Sequence, residues 1–462
     1  MSICAKNDNY RLNYLPSRGI IYVYILSASC RHFFRVECMK LPVYRLPEKS
    51  AKKDFVFNMF GSAVYAAISV VLLIVVSHIL GSEAAGVFTL AYSTAQMMYT
   101  VAAFEMRNAQ VTDAKREFSF GSLLGFRIVT ILLMWIATAV FILLRGYSGE
   151  KAWLIALICL YMSMIALADV FQGNLHLNGY LHIAGRSIGS VVILAAAAFS
   201  VTLYFTRDLV VSALPMVAAA VLWIVFHDVP YSRNFSGLKP DFAIKRLKIL
   251  FLCALPLFLS AFLNQFIFNA PKYAIDTLMT ETDQARYGYL VMPAFVINLL
   301  SIFAFRPQLV SLSENWVKGE YGRFKRTSLL LYLWIGIVTA AALGGGALFG
   351  IPVLELLYGA DLAGMRGVLL ILITAGCFSA CATLALTLFT TMRKQKLCLI
   401  AYGATAVFAL FVPRLLVGSQ GILGASLAYL AETLLLFSAM LVMLIISFIK
   451  ARKGAETQQK EG

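Results

Sequence analysis

The chain has 462 residues, of which 60% are hydrophobic and only 13% are charged, and its mean hydropathy is +0.80. Soluble globular proteins carry about 25% charged residues, so this composition excludes a soluble domain and predicts an integral membrane protein with many spans. The formal net charge of +16 would favour a nucleic-acid partner in a soluble protein, but in a membrane protein it must first be compared with the topology.

Residues 1–54 precede the first segment that is long enough to cross a bilayer, and we expect them to form an N-terminal extension. The apolar stretch GIIYVYILSASC, at 19–30, has only twelve residues, which is too short for a span. A signal peptide with Cys30 lipidated would place the lysines that follow it outside, against the charge bias described below. We therefore expect translation to begin at Met39.

Windows of about 20 apolar residues predict an all-α polytopic membrane protein with twelve transmembrane helices. The predicted spans lie near residues 55–80, 86–104, 121–144, 152–170, 183–205, 209–227, 249–270, 287–305, 328–349, 365–390, 396–416 and 421–449.

The distribution of Lys and Arg supports this topology. With residue 54 in the cytoplasm, the cytoplasmic loops and tail after it carry 21 Lys and Arg residues, whereas the opposite loops carry seven. This bias predicts a multi-pass protein of the cytoplasmic (inner) membrane with both termini in the cytoplasm. Topology accounts for most of the net charge, and no nucleic-acid partner is expected.

The polar stretch 228–248 is predicted to be a cytoplasmic linker between two halves, 55–227 and 249–449, with 450–462 as a cytoplasmic tail. Apolar and basic residues mix in the second part of the linker, which predicts an interfacial helix; a solvated linker is the alternative. The stretches FEMRNAQV and FAFRPQLV end spans two and eight, which are equivalent positions. This match predicts parallel repeats related by an axis along the membrane normal.

Ionisable side chains within spans are functional candidates, because a charge in the bilayer is costly. Arg127 lies about six residues inside the cytoplasmic end of span three, and Asp169 closes span four on the same side. Snorkelling to the headgroups is the alternative for Arg127, and an ordinary helix-end charge is the alternative for Asp169.

Arg107 and Arg306 occupy the paired ends of spans two and eight, and each is followed by a Gln, Gln110 or Gln308. The repeated pattern favours a cationic lining on both sides of a central cavity, which Arg186 at the start of span five would join. Arginine suits such a site because its guanidinium binds phosphate oxygens bidentately. A positive-inside anchor is the alternative for each arginine.

Lys272 and Asp276 are four residues apart and are expected to pair on one helix, and Asn264 and Asn269 add polar groups to the same segment. Glu432 is expected to form half of an interhelical hydrogen bond, with a proton or cation site as the alternative. Ion coupling is not required by any spacing in the sequence, and its candidates are Asp169, Asp276 and Glu432.

Motifs for catalysis or cofactor binding are absent from the sequence. It contains no HExxH, no GxxxxGK[ST] and no metal-ligand spacing among its eight Cys. We therefore expect no catalytic residue, cofactor or metal.

Several stretches resemble the polysaccharide flippases of the Wzx type, within the multidrug/oligosaccharidyl-lipid/polysaccharide (MOP) exporter superfamily. The resemblance covers about residues 55–449 and is carried by HILGSEAAGVF, FEMRNAQVTD, LADVFQGNLHLNGYLHIAGRS, LPLFLSAFLNQFIFNAPKYAID, YGYLVMPAFVINLLSIFAFRPQLVSL and GILGASLAYL. It implies two six-helix bundles, as in the MOP and MATE folds, around a central cavity that opens alternately to each side. The implied substrate is an undecaprenyl-pyrophosphate-linked oligosaccharide for capsule, O-antigen or exopolysaccharide, and the polymerase and chain-length proteins of that pathway are expected partners.

Two other functions stay open at this point. A multidrug or metabolite/cation antiporter of the same superfamily predicts a compact acidic site, and the arginine-rich interior argues against it. A membrane polymerase or glycosyltransferase usually needs a long external loop, and the largest one here, about 271–286, is short.

Overall fold

The computed structural model describes residues 43–112, 117–305 and 308–461, and these ranges are nearly all helical, without a β-strand. The helices are α1 (Ala51–Leu80), α2 (Ser82–Ala103), α3 (Met106–Thr112), α4 (Phe120–Arg145), α5 (Gly149–Leu177), α6 (Leu181–Thr206), α7 (Leu209–Ser232), α8 (Ile244–Leu278), α9 (Glu281–Phe305), α10 (Leu309–Val317), α11 (Tyr321–Tyr358), α12 (Arg366–Thr391) and α13 (Cys398–Glu461). We call the end of the molecule where α1 begins the inner end and the opposite end the outer end.

Ten helices in the described ranges are long and apolar enough to cross a membrane. This confirms the all-helical membrane fold, whereas the number of twelve spans stays a prediction. Two of the twelve predicted spans, α2 and the last segment of α13, are not counted separately among these ten helices. The structure gives a reason for each.

Helix α13 is a hairpin rather than one straight rod. Gly421 has φ 58° and ψ −133°, which a helix cannot accommodate, and a Cβ on Gly424 would lie 1.9 Å from the carbonyl oxygen of Leu416. The chain therefore folds back at Gly421, a residue that tolerates positive φ because it has no Cβ. Ala406 and Leu436 belong to one apolar cluster, as expected when the two segments run side by side.

Helix α2 is more polar than the other predicted spans because it is buried in protein. Fourteen of its 22 residues are buried. Its neighbours are α4 and α5 on one side and α8 and α9 on the other. A helix surrounded by protein does not need an apolar surface, and its hydroxyl and amide side chains can face a cavity.

The remaining helices pack mainly within their own part of the chain. Helix α1 lies on α6, α6 on α7 and α2 on α5, whereas α8 and α12 pack on α13 and α9 packs on α12. Contacts between these two groups run mainly through α2, where a Cβ on Gly86 would lie 1.8 Å from the backbone oxygen of Glu281. The division of the chain into domains at 228–248 stays a prediction.

The linker follows the inner ends of α4 and α7. Asp241 accepts a hydrogen bond from the Ser122 hydroxyl at 3.1 Å, and its backbone N–H donates to Gly121 at 2.8 Å. The Ala243 N–H, the Ser122 hydroxyl and Arg246 together lower the pKa of the Asp241 carboxyl. Residues 244–249 form the first turns of α8 rather than a separate helix, because nothing interrupts the helix before Pro256. Their interfacial position stays a prediction.

The last residues of the expected N-terminal extension belong to the fold. Tyr44 packs edge-on against Tyr231 at 5.2 Å, its carbonyl accepts from Asn234, and Lys49 lies 5.0 Å from the centre of the Tyr180 ring. Residues 43–50 thus cross the inner ends of α5, α6 and α7. Residues 1–42, which include Met39, lie outside the described residues.

Close packing of α1 on α6 predicts that Gly185→Ala destabilises the protein by about 1–3 kcal/mol, because the added Cβ overpacks a filled interface. The ideal Cβ lies 2.5 Å from the Cα of Asn58. Gly336→Ala in α11 is the control, since its Cβ meets nothing within 4 Å. The measurement is thermal unfolding in detergent. Equal melting temperatures for the two variants would contradict the close approach of the helices.

Candidate functional site

A cavity of about 600 Å³ lies in the middle of the molecule. It is lined by α1, α2, α5 and α6 from the first part of the chain and by α8, α9, α12 and α13 from the second. Pockets for drug-sized ligands have volumes of about 300–1,000 Å³, so the cavity is large enough for a small organic headgroup.

Neutral polar and aromatic side chains dominate this lining. The amides are Gln96, Gln172, Asn264, Gln265 and Asn298, and the aromatic residues are Tyr65, Phe88, Tyr92, Tyr99, Phe268, Phe295 and Tyr429. Such a surface offers many hydrogen-bond donors and acceptors together with flat apolar faces.

Helix α2 contributes a polar stripe that the sequence analysis missed. Thr89, Ser93, Gln96 and Thr100 recur every three or four residues and all line the cavity. This spacing places them on one helix face. The periodicity of the polar residues, rather than the apolar ones, was the signal in the sequence.

Among the described residues of the lining, only three are Asp, Glu, Lys or Arg: Glu105, Asp169 and Lys272. The described lining residues therefore include no arginine, in contrast to the predicted arginine-rich interior. Glu105 and Asp169 lie toward the inner end, whereas Lys272 lies near the outer end of α8. The cavity thus separates acidic from basic groups.

The two arginines predicted near the inner end are paired with one carboxylate. Arg127, which is 0% exposed, donates from Nη2 to Asp169 Oδ2 at 2.7 Å, and Arg107 donates from Nη1 to Asp169 Oδ1 at 2.6 Å. Arg127 Nη1 also donates to the carbonyl of Ala102 at the end of α2. Full burial rules out snorkelling for Arg127, and neither arginine is among the residues that line the cavity.

The break between α2 and α3 positions this cluster. Phe104 and Glu105 have φ values of 48° and 50°, the left-handed region that residues with a Cβ rarely adopt. Phe104 is held there by stacking on Phe258 at 4.2 Å and by edge contact with Phe126 at 5.5 Å. The break turns Arg107 toward α5. Strained backbone of this kind is often found at functional sites.

The other described residues that were predicted for the cationic lining, Gln110, Arg186 and Gln308, do not line the cavity. Gln110 is buried and donates to the carbonyl of Val170 at 3.0 Å, where it packs on α5. Arg186 and Gln308 are exposed and do not line the cavity. Arg306 lies outside the described residues. Their roles in substrate binding stay predictions.

Lys272 is buried, lines the cavity and does not pair with Asp276, so the expected pair along α8 is wrong. Its ammonium group donates to Ser93 Oγ at 2.8 Å and to Asn269 Oδ1 at 3.2 Å, and it lies 4.3 Å from the centre of the Phe268 ring. Within the described residues it makes no ion pair with a carboxylate. Asn269 does not line the cavity but supports this amine.

Asp276 instead belongs to a cluster at the outer end that joins the two parts of the chain. It pairs with Lys151 and accepts a hydrogen bond from Tyr147, and Lys151 also pairs with Glu281 at 2.6 Å. Arg145 lies 3.9 Å from Asp276. These partners of Asp276 lie on α4, on α5 and on the loop between them. Residue spacing along one helix could therefore not have predicted them. They hold the outer ends of the helices together.

Glu432 lies on α13 with 0% exposure, and neither of its carboxyl oxygens has a hydrogen-bond partner among the described residues. The expected interhelical hydrogen bond is therefore not formed with any described residue. Tyr429 and Thr433 on either side of it line the cavity, but Glu432 does not. Within the described ranges, no group of three or more metal-ligating side chains could hold a metal ion.

The ion pair of Arg127 predicts that Asp169→Asn destabilises the protein by about 3–5 kcal/mol, because removing the carboxylate leaves a buried charge uncompensated. Arg107→Gln is the control, since Arg107 is 23% exposed and can reach water. Chemical or thermal unfolding in detergent measures both variants. A larger loss for Arg107→Gln than for Asp169→Asn would contradict this assignment.

The outer cluster predicts that the double variant Asp276→Asn, Glu281→Gln loosens the outer end, because Lys151 loses both of its carboxylate partners. We expect a cysteine at Ser93, in the cavity, to react several times faster with a membrane-impermeant maleimide. The control is Asp283→Asn, which removes a carboxylate whose partners, Arg286 and Thr280, are both local, three residues away along the chain. An unchanged labelling rate in the double variant would show that the cluster does not close this end.

No protein-family model matches this chain, and no curated protein matches it. Solved structures do match. The lipid II flippase MurJ in an inward closed conformation has a TM-score of 0.63 at 14% identity, covering 86% of this chain and 90% of that chain. The MATE multidrug transporter DinF-BH has a TM-score of 0.61 at 17% identity, covering 89% of this chain and 100% of that chain.

An inward-facing multidrug resistance MATE family transporter of the MOP superfamily matches with a TM-score of 0.53 at 14% identity, covering 90% of this chain and 97% of that chain. At this level of identity the likeness establishes the fold and no more. The chain is a multi-pass membrane protein with the fold shared by the lipid II flippase MurJ and the MATE family transporters.

Proposed function

We propose that this protein is a flippase that moves undecaprenyl-pyrophosphate-linked oligosaccharides from the inner to the outer leaflet of the cytoplasmic membrane. The oligosaccharide would serve the synthesis of capsule, O-antigen or exopolysaccharide. In this proposal the inner end of the molecule faces the cytoplasm, together with both termini, and the cavity opens alternately to each side. The polymerase and chain-length proteins of the pathway would receive the cargo.

The observation that carries the proposal is the neutral polar and aromatic lining of the cavity. Amides such as Gln96, Asn264 and Asn298 can donate to and accept from sugar hydroxyls, and Tyr65 and Tyr92 offer flat faces for the C–H surface of a sugar ring. A site for a flat organic cation would instead be expected to hold several unpaired carboxylates. Here Asp169 is already paired with two arginines, which leaves Glu105 as the one carboxylate of the described lining without an ion pair.

Physical chemistry explains why such a cargo needs this cavity. The hydroxyls and the pyrophosphate of the headgroup would lose their hydrogen bonds to water in hydrocarbon, at a cost of roughly 2–7 kcal/mol for each unpaired polar group. Amides and hydroxyls on α2, α8 and α9 replace that water during passage. The apolar tail has no such cost and can stay in the lipid.

Lys272 would neutralise an anionic group of the cargo in the cavity. It is the charged side chain of the lining that lacks a carboxylate partner among the described residues, and a buried unpaired charge is unfavourable until a counter-charge binds. Arg107, Arg127 and Arg306 would then act nearer the inner end, where they attract the headgroup. Binding must stay modest in both conformations, because a ligand held too tightly in one of them is not released.

Ion coupling through Asp169, Asp276 or Glu432 remains part of the proposal. Asp169 and Asp276 are both ion-paired, whereas Glu432 has neither an ion pair nor a hydrogen bond among the described residues. Glu432 is therefore the carboxyl group that is most readily available to an ion. A multidrug or cation antiporter is the alternative function, and it would bind its substrate near Glu105 and Asp169.

The test is Lys272→Gln, assayed by surface polymer in a flippase-null strain and by headgroup translocation in vesicles with a lipid-linked oligosaccharide. We expect transport to fall about 10–100-fold, because a hydrogen bond to a charged group contributes about 1.5–3 kcal/mol. Lys245→Gln, on the exposed first turn of α8, is the matched control.

Two outcomes would contradict the proposal. One is the absence of translocation by the wild-type protein in vesicles that hold lipid-linked oligosaccharide. The other is resistance of cells to toxic organic cations that depends on Glu105 and Asp169 but not on Lys272, which would favour the antiporter.

A further inference from the structure

Helix α11 carries a groove on its lipid-facing side near the inner end, separate from the central cavity. The groove has a volume of about 290 Å³ and is lined by Gly322, Lys325, Arg326, Leu329, Leu330 and Leu333. At 100° per residue these positions fall within about 140° of arc, so they share one helix face. Gly322 opens the floor of the groove, since a Cβ there would meet nothing within 4 Å.

The two cations of the groove have no ion-pair partner among the described residues. Their neighbours do: Arg323 pairs with Glu320 at 2.8 Å, and Lys318 pairs with Glu314 at 3.3 Å. The nearby carboxylates, Glu314 and Glu320, are thus already paired with Lys318 and Arg323. Lys325 and Arg326 are exposed and leave an uncompensated double positive charge.

Aromatic side chains indicate the depth of this charge in a membrane. Trp316 and Tyr321 pack edge-on at 5.3 Å just before the groove, and Trp and Tyr are enriched at the boundary between membrane and water. Lys325 and Arg326 follow Tyr321 by about one turn, so their long side chains can extend back to the lipid phosphates.

The apolar part of the groove continues from the charges toward the middle of the helix. Leu329, Leu330 and Leu333 are 55%, 55% and 59% exposed, so no protein element covers them. Leu333 lies about 12 Å along the helix from Lys325. Two cations followed by an exposed leucine face match a phosphate headgroup followed by an acyl chain.

We propose that this groove on α11 binds an anionic phospholipid, with the lipid phosphate on Lys325 and Arg326 and an acyl chain along Leu329, Leu330 and Leu333. The site is independent of the proposed transport function. Charge complementarity favours an anionic over a zwitterionic lipid, because basic residues at the surface of an anionic membrane are attracted to its headgroups. The leucine-lined groove beside these two cations distinguishes them from the general excess of basic residues at the inner end.

The experiment measures binding of phosphatidylglycerol to the purified full-length protein in detergent by native mass spectrometry, with phosphatidylcholine as the reference lipid. The double variant Lys325→Gln, Arg326→Gln is compared with Lys318→Gln, Arg323→Gln, which removes the same charge from paired neighbours. We expect the first variant to bind phosphatidylglycerol about tenfold more weakly and the second less than about twofold more weakly. Phosphatidylcholine binding stays unchanged in both.

A second variant tests the groove without changing the charge. Gly322→Phe fills the open floor and should also weaken phosphatidylglycerol binding. Equal losses in the two charge variants would overturn the site, because binding would then depend on overall charge. Displacement of the lipid by inorganic phosphate at equal concentration would overturn the role of the leucine face, and capture of an acidic peptide in its place would favour a protein partner.

Discussion

The buried ion pair between Arg127 and Asp169 is the constraint on which the inner half of the cavity depends. A guanidinium with 0% exposure inside a membrane helix is tolerated only when it is paired and hydrogen-bonded. Asp169 supplies the charge, and the Ala102 carbonyl at the end of α2 accepts a further hydrogen bond. One side chain thereby joins α2, α4 and α5 and holds the break at Phe104 and Glu105 in place.

This pairing also decides the chemistry of the cavity. Because Arg107 and Arg127 share the single carboxylate of Asp169, one of their two positive charges is compensated before any ligand arrives. The described lining then offers amides and tyrosines, the carboxylate of Glu105 near the inner end, and the amine of Lys272 near the opposite end. A headgroup with hydroxyls and an anionic substituent is complementary to this arrangement.

The outer end is closed by contacts of a different kind. Ser77 on α1 bonds to the Tyr289 hydroxyl and to the Tyr358 carbonyl, both at 2.6 Å, and Lys151 spans Asp276 and Glu281. The Lys151 contacts are partly exposed, so they can be exchanged for water, whereas the Ser77 contacts are buried within the apolar core. Alternating access would need a closure that can be broken reversibly, and the partly exposed contacts of Lys151 are better suited to it than the buried ion pair of Arg127.

The class of the protein and most helix positions follow from the amino-acid sequence, because a span must be about 20 apolar residues long whatever its neighbours are. The sequence also identifies Arg127, Asp169 and Lys272 as candidates, since a charge among apolar residues is conspicuous. Their partners depend on how the helices pack: Asp169 pairs with two arginines, Asp276 pairs with Lys151 rather than with Lys272, and Glu432 has no partner among the described residues. Residue spacing predicts contacts only within one or two turns of the same helix. A buried charge pairs instead with a residue of whichever helix packs beside it.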